Sequence, residues 1–302
     1  MADPSPSRGR AVVGRKPAWL KACLPAAGAF RATDAVLAEL RLHTVCDEAR
    51  CPNKGECFSA GTATFLILGD VCTRDCRFCS VEHASAQTGL CALDPDEPAR
   101  LALAAARLGL RHVVVTSVTR DDLADGGAGQ FAAAIRALRE TVPQATVEVL
   151  VPDFGGERSA LDVVLVERPD VLDHNLETVP RMYPQVRPRA VYERSLELLG
   201  RAATASPRPL VKTGLMVGLG ETSGEVAAVL RDSAAAGADV VTVGQYLQPH
   251  AACLPVQRYV HPDEFAALEA DGAALGLRVV AGPFVRSSYH AADVLSPCAE
   301  ET

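Results

Sequence analysis

A partial or full TIM-like (β/α) barrel is the fold this 302-residue chain predicts, on three observations. Short runs rich in β-branched residues recur from residue 62 onward. Most are separated by Ala- and Leu-rich stretches with helical spacing. Polar residues gather at or just past the ends of the runs. Strands alternating with helices imply βαβ units and parallel pairing. Strands that are apolar almost throughout suit a sheet covered on both faces or closed on itself. A barrel is therefore favoured over an open doubly wound sheet, with its site at the strand ends.

Residues 1–14, rich in Pro, Ser, Gly and Arg, read as a disordered tail. An N-terminal extension follows over 15–61, in which ATDAVLAELRLHTV (32–45) has helical spacing and runs into the first cysteines. The barrel is expected over 62–276, with strands TATFLIL (62–68), HVVVTSV (112–118), ATVEVLV (145–151), DVLDHNL (170–176), LVKTGLMVGL (210–219) and DVVTVGQYL (239–247). RVVAGPFV (278–285) opens the C-terminal segment, 277–302. Helices are expected over 97–109, 128–141, 190–203, 223–236 and 263–275. The polar clusters are SVTRDD, PDF, HNLE, GLGE and QYLQP. GLGETSGE (218–225) carries Ser223 where a dinucleotide loop needs its third glycine, so it reads as a plain strand-to-helix turn.

Aromatic residues make up only 5% of the chain against 48% hydrophobic, so Ala, Val and Leu must fill the core. A net charge of −7 argues against nucleic acid as a partner. The basic start (Arg8, Arg10, Arg15, Lys16, Lys21) reads as a solvated arm. No apolar run approaches a membrane span and no signal-peptide core precedes a cleavage site. The expectation is a cytoplasmic protein with no membrane partner. In a reducing compartment, clustered cysteines mean metal or catalysis rather than disulfides. Cys23, Cys91, Cys253 and Cys298 are scattered and read as packing or surface residues.

The other six cysteines fall between residues 46 and 79, as two triads. CDEARCPNKGEC places Cys46, Cys51 and Cys57 at C-x4-C-x5-C. CTRDCRFC places Cys72, Cys76 and Cys79 at C-x3-C-x2-C. Closed zinc sites take four ligands and usually begin with C-x2-C knuckles. Pooling six thiolates around one or two zinc ions is open but leaves an awkward count. A cubane iron–sulfur cluster held by three thiolates leaves one iron for another ligand. Two triads at two spacings suggest two clusters with different tasks.

The C-x3-C-x2-C triad, with Phe78 directly before Cys79 and a strand just ahead of it, resembles the signature of the radical S-adenosylmethionine superfamily. The resemblance implies that the open iron chelates S-adenosylmethionine, whose reductive cleavage gives a 5′-deoxyadenosyl radical. The longer stretch LHTVCDEARCPNKGECFSAGTATFLILGDVCTRDCRFCSV closely resembles the lipoyl synthase family. So do DPDEPARLA, SVTRDDLADGGA, VEVLVPDF, HNLETVPRMY, KTGLMVGLGET, GQYLQP, LPVQRYVHPDEF and GPFVRSSYHA. Coverage runs from about residue 15 to 292.

That resemblance implies two [4Fe–4S] clusters and S-adenosylmethionine as cofactors. Cys72, Cys76 and Cys79 would hold the radical-generating cluster. Cys46, Cys51 and Cys57 would hold an auxiliary cluster with Ser288 of RSSY as fourth ligand, carried by the N- and C-terminal extensions. The implied reaction inserts two sulfur atoms, at C6 and C8 of a protein-bound octanoyl chain, with the auxiliary cluster as donor. A hard serine alkoxide on a soft cluster is a labile ligand, suited to a cluster taken apart in turnover. Partners implied are an octanoylated lipoyl-carrier protein or lipoyl domain, an electron donor such as ferredoxin or flavodoxin, and an iron–sulfur cluster carrier. A different radical enzyme with an auxiliary cluster, an iron–sulfur electron carrier and a zinc-stabilised binding protein are the competing readings.

Thr116, Glu148, Asn175 and Lys212 stand near strand ends, as cofactor contacts or as satisfied polar residues of a barrel layer. Phe78 is assigned to the cofactor with them. The glycines of DGGA (125–128) suit close backbone approach to the cofactor, without the acid that commonly follows. Arg286 is expected to orient the C-terminal loop or meet substrate. Two departures from the family stand out: HASAQTGLCALDPDEP (83–98) lacks a Gly-x-Pro turn, and Ala252 and Cys253 stand where histidine is common.

Overall fold

The computed structural model describes residues 16–21, 27–60, 62–85, 88–289 and 291–292. The tail expected over 1–14, Cys23 and Cys298 lie outside them. In the extension, α1 (Ala27–Glu39) leads to β1 (His43–Thr44), α2 (Val45–Glu48) and α3 (Lys54–Ser59). The barrel opens with β2 (Thr64–Ile67) and the short strands β3 (Val71–Cys72) and β4 (Glu82–His83). Then follow α4 (Glu97–Arg107), β5 (His112–Ser117), α5 (Ala128–Thr141), β6 (Thr146–Leu150), α6 (Arg158–Val166), β7 (Val171–Asp173) and α7 (Tyr183–Val186). The chain continues through α8 (Tyr192–Ala203), β8 (Leu210–Val217), α9 (Ser223–Ala235), β9 (Val240–Gln245), α10 (Pro262–Ala274) and β10 (Arg278–Gly282).

Eight strands form one sheet in the order β1-β2-β5-β6-β7-β8-β9-β10. Only β1 runs antiparallel to its neighbour. The edge strands β1 and β10 do not pair with each other, so the barrel is partial. β10, from the C-terminal segment, extends it beside β9. β3 and β4 pair separately, in parallel.

The periodicities explain the layers. Val113 and Val115 of β5 and Val147 and Val149 of β6 join Phe131, Ile135 and Leu138 of α5 in one continuous core. Each such buried side chain contributes about 1.5–3 kcal/mol. Helix starts are written locally: Thr222 and Glu225 form a capping box on α9, and Pro262 opens α10 behind His261. GLGE is indeed a turn. The Glu221 carboxylate accepts N–H bonds from Gly218, Leu219 and Gly220, the donors a phosphate would need.

Two differences from the expected elements have clear causes. α1 ends at Glu39 rather than near 45, because Arg41 turns with φ +50° and His43–Thr44 then add to the sheet edge. α6 is a helix not named among the expected ones. It is an amphipathic helix burying Ala160, Leu161 and Val164.

Candidate active site

CTRDCRFC occupies the crossing from β3 to β4. Cys72 ends β3, and its Sγ accepts two backbone N–H bonds, from Arg74 and Thr119, each 3.4 Å. Cys76 and Cys79 are joined by a turn, Cys79 N–H to Cys76 O at 3.0 Å. Arg77 anchors this turn on both sides: its N–H donates to Val186 O, and its carbonyl accepts from Leu254 N–H, each 2.9 Å.

The second triad hangs on the two short helices of the extension. Cys46 lies in α2, Cys51 follows it, and Cys57 lies in α3. Two bonds spanning more than two hundred residues bring the C-terminal segment to this loop. Asn53 Nδ2 donates to Phe284 O at 2.7 Å, and Tyr289 Oη donates to Glu56 Oε1 at 2.9 Å. RSSY passes over the barrel mouth only because β8 and β9 offer glycine there. A Cβ on Gly214 would lie 2.6 Å from Ser287 Oγ, and one on Gly244 2.1 Å from Val285 O. The two serines separate in role. Ser287 Oγ donates to Asn175 Oδ1 at 2.7 Å, whereas Ser288 makes no hydrogen bond to a described residue.

One cavity of about 470 Å³ collects these parts. Cys46, Cys51, Cys72, Cys76, Cys79 and Ser288 all line it. Cys57 stands behind, close enough to Cys51 for their charges to interact. Among the described residues, no three Cys, His, Asp or Glu side chains converge on a point as ligands of a single ion would. The electrostatics ask for positive charge. Burial pushes the Cys46 and Cys79 thiols up to about 12, and the Cys57 and Cys76 thiols up to about 11. Thiolates would persist at such sites only beside a compensating cation.

The rest of the lining suits an anionic, polar occupant. Lys16, Arg50, Arg74, Arg187 and Arg286 face the cavity, against Glu177 as the one carboxylate among the described lining residues. Arg187 Nε, His83 Nδ1 and Ser117 Oγ, all on lining residues, are buried without a partner. Buried donors and acceptors are seldom left so unless a ligand or water completes them.

Of the expected cofactor contacts, Phe78, Thr116 and Asn175 line the cavity. Thr116 Oγ1 donates to Leu150 O at 2.8 Å. Glu148 and Lys212 do not line it. They pair with each other at 2.8 Å with no exposed side-chain surface, and Glu148 also faces His112 at 3.2 Å. The reason is depth. Leu150 and Gly214, each two residues further along its strand, line the cavity. Glu148 and Lys212 therefore sit one inward-facing step below, as satisfied polar residues of the barrel interior. The DGGA glycines also lie elsewhere: Gly127 caps α5 against Leu68, and Gly126 packs on Phe154. Cys91 is exposed, whereas Cys253 is buried with its Sγ donating to Cys79 O at 3.3 Å.

Sequence reasoning overlooked Arg187, His83 and the Asn53 and Glu56 tethers. HNLE does contain a signal. Glu177 takes φ +66° and bonds β8 through Gly214 O and Met216 N–H, which aims its side chain into the cavity.

Comparison with known proteins agrees with this geometry. The family model of the radical SAM superfamily matches residues 66–233, from β2 through most of α9. The N-terminal domain of lipoyl synthase of the radical SAM family matches residues 5–51. A lipoyl synthase of Thermus thermophilus is 55% identical over 278 residues, covering 91% of this chain and 85% of that protein. One from Chlorobium limicola is 53% identical over 283 residues, covering 93% and 96%. The chain belongs to the lipoyl synthase family. With its radical SAM superfamily come a [4Fe–4S] cluster and S-adenosylmethionine. Solved structures share the fold alone. Streptococcus suis SuiB bound to S-adenosylmethionine has a TM-score of 0.56 at 10% identity, covering 72% of this chain and 49% of that one. Methylornithine synthase PylB has a TM-score of 0.51 at 13% identity, covering 82% and 81%. At 91% and 93% coverage of this chain, both of its cysteine triads fall inside the matched length. No helix among the described residues is long and apolar enough to cross a membrane.

Proposed function

We propose that this chain inserts two sulfur atoms, at C6 and C8 of an octanoyl chain held on a lipoyl-carrier protein or lipoyl domain. The observation that carries the reading is the single cavity lined from both triads and by Ser288. Cys72, Cys76 and Cys79 hold one cluster, and Cys46, Cys51, Cys57 and Ser288 hold the auxiliary one. When bound, the two clusters supply, respectively, the electron that cleaves S-adenosylmethionine and the sulfur that is inserted.

The chain's own residues bind, orient and exclude water. Two N–H bonds onto Cys72 Sγ fix the position of that sulfur. Arg187 Nε, His83 Nδ1 and Ser117 Oγ offer partners to the polar ends of S-adenosylmethionine. Leu66, Val118, Leu150, Leu215 and Met216 give the same cavity an apolar wall that an alkyl chain can occupy. Ser288 holds the auxiliary group between the tethers at Phe284 and Tyr289, and must leave it as that group is consumed. The electron donor is of ferredoxin or flavodoxin type, and a cluster carrier rebuilds the auxiliary site.

The test is the mass of an octanoyl-lysyl peptide after anaerobic incubation with reconstituted protein, S-adenosylmethionine and a strong reductant. A product with two added sulfurs is expected. Cys51→Ala should give 5′-deoxyadenosine without sulfur transfer, and Cys76→Ala neither. An unmodified peptide beside abundant 5′-deoxyadenosine from the unaltered protein overturns the substrate assignment.

A further inference from the structure

SVTRDD and PDF, the polar clusters after β5 and β6, converge on one side chain of the cysteine segment. The Arg74 guanidinium is 6% exposed and spans two carboxylates. It donates to Asp121 through Nε at 2.9 Å and Nη2 at 2.8 Å, and to Asp153 Oδ1 at 2.6 Å. Arg194 holds the other Asp153 oxygen at 3.2 Å. Thr73 repeats the tie one residue earlier. Its N–H and its hydroxyl both donate to Thr119 O, at 3.0 and 2.9 Å, and its Oγ1 accepts from Asp121 N–H at 3.0 Å. Arg189 Nη1 donates to Thr73 O at 2.6 Å.

The two N–H groups that reach Cys72 Sγ belong to Arg74 and Thr119, the residues these ties lock together.

We propose that Arg74, aided by Thr73, is a positioning residue that fixes both N–H···S bonds on Cys72 and so raises the reduction potential of the group bound there. The proposal rests on Cys72, Cys76 and Cys79 holding an iron–sulfur cluster. Reduction adds negative charge to the cluster. N–H donors aimed at a ligand sulfur favour the more negative state and raise its potential. Arginine suits the place because its planar fork gives Asp121 two bonds while Nη2 also reaches Asp153, and a lysine ammonium lacks that fork.

Arg74→Lys keeps the charge and removes the fork. Thr73→Val removes the hydroxyl's ties to Thr119 O and Asp121 N–H, keeps the backbone bond to Thr119 O and leaves every charge in place, so it carries the test where Arg74→Lys fails to fold. Each is reconstituted as the full chain. The midpoint potential is read by redox titration, following the electron paramagnetic resonance signal that S-adenosylmethionine perturbs. At the unaltered protein's midpoint, each folded, iron-loaded variant should show a reduced-to-oxidised ratio about tenfold lower, a shift of about 59 mV for one electron. A ratio unchanged in both, even with lowered thermal stability, overturns the proposal and leaves Arg74 a structural residue. A Cys76→Ala variant that keeps the full iron content of the unaltered chain instead overturns the cluster assignment, and this proposal with it.

Discussion

Asp173→Asn should stabilise the protein, and only where pH is above the ordinary carboxylate range. Asp173 stands in the barrel interior with no exposed surface and no partner on either oxygen. The nearby Lys212 ammonium is spent on Glu148. Burial, opposed by Lys212 and reinforced by Glu148, pushes the Asp173 carboxyl from 3.8 up to about 8. The native state therefore keeps a proton that the unfolded chain releases. Its stability is fully present below about pH 4 and falls as pH rises towards 8. At about 1.4 kcal/mol per pH unit, over roughly three units from 3.8 to pH 7, the cost at pH 7 is about 4 kcal/mol. Asparagine has the same shape and nothing to protonate. Urea unfolding from pH 4 to 8 measures the effect. The two proteins should coincide near pH 4 and separate by about 1 M in midpoint at pH 7. Parallel pH profiles would refute the reasoning and mean that Asp173 is ionised in the fold.

Ser288→Cys replaces a labile ligand by a firm one, so 5′-deoxyadenosine formation should persist while sulfur insertion falls; full lipoyl formation by that variant contradicts the assignment. Asn53→Ala with Tyr289→Phe removes the two tethers of the C-terminal segment, each about 1 kcal/mol. Amide exchange over residues 284–289 should rise about fivefold or more, and iron loss from the auxiliary triad should precede loss from the other. Gly244→Ala drives a Cβ to 2.1 Å from Val285 O, so the segment must shift. About 1–3 kcal/mol of stability and most sulfur transfer should be lost, read by thermal unfolding and product mass.

Which features could be read from the sequence depended on the range of the forces that set them. Strand runs such as HVVVTSV declare themselves because each residue's burial is decided by its own sheet. Both cysteine triads are equally local. Depth along a strand is not: Glu148 and Leu150 differ by two positions, and only the register of β5, β6 and β8 says which meets the cavity. The C-terminal contacts were hidden for another reason. Phe284 meets Asn53 and Tyr289 meets Glu56 across most of the chain, and no neighbouring residue announces either. Arg74 was visible as part of CTRDCRFC, but its partners Asp121 and Asp153 belong to two other loops.

The most direct test is the origin of the inserted sulfur. The protein is reconstituted with isotopically heavy sulfide, freed of excess, and given one turnover on an octanoyl-lysyl peptide. A product in which both sulfurs are heavy, and no product from Cys51→Ala, is the predicted result. Light sulfur in the product, or sulfur insertion by the Cys51 variant, would show that the cavity's second triad is not the donor.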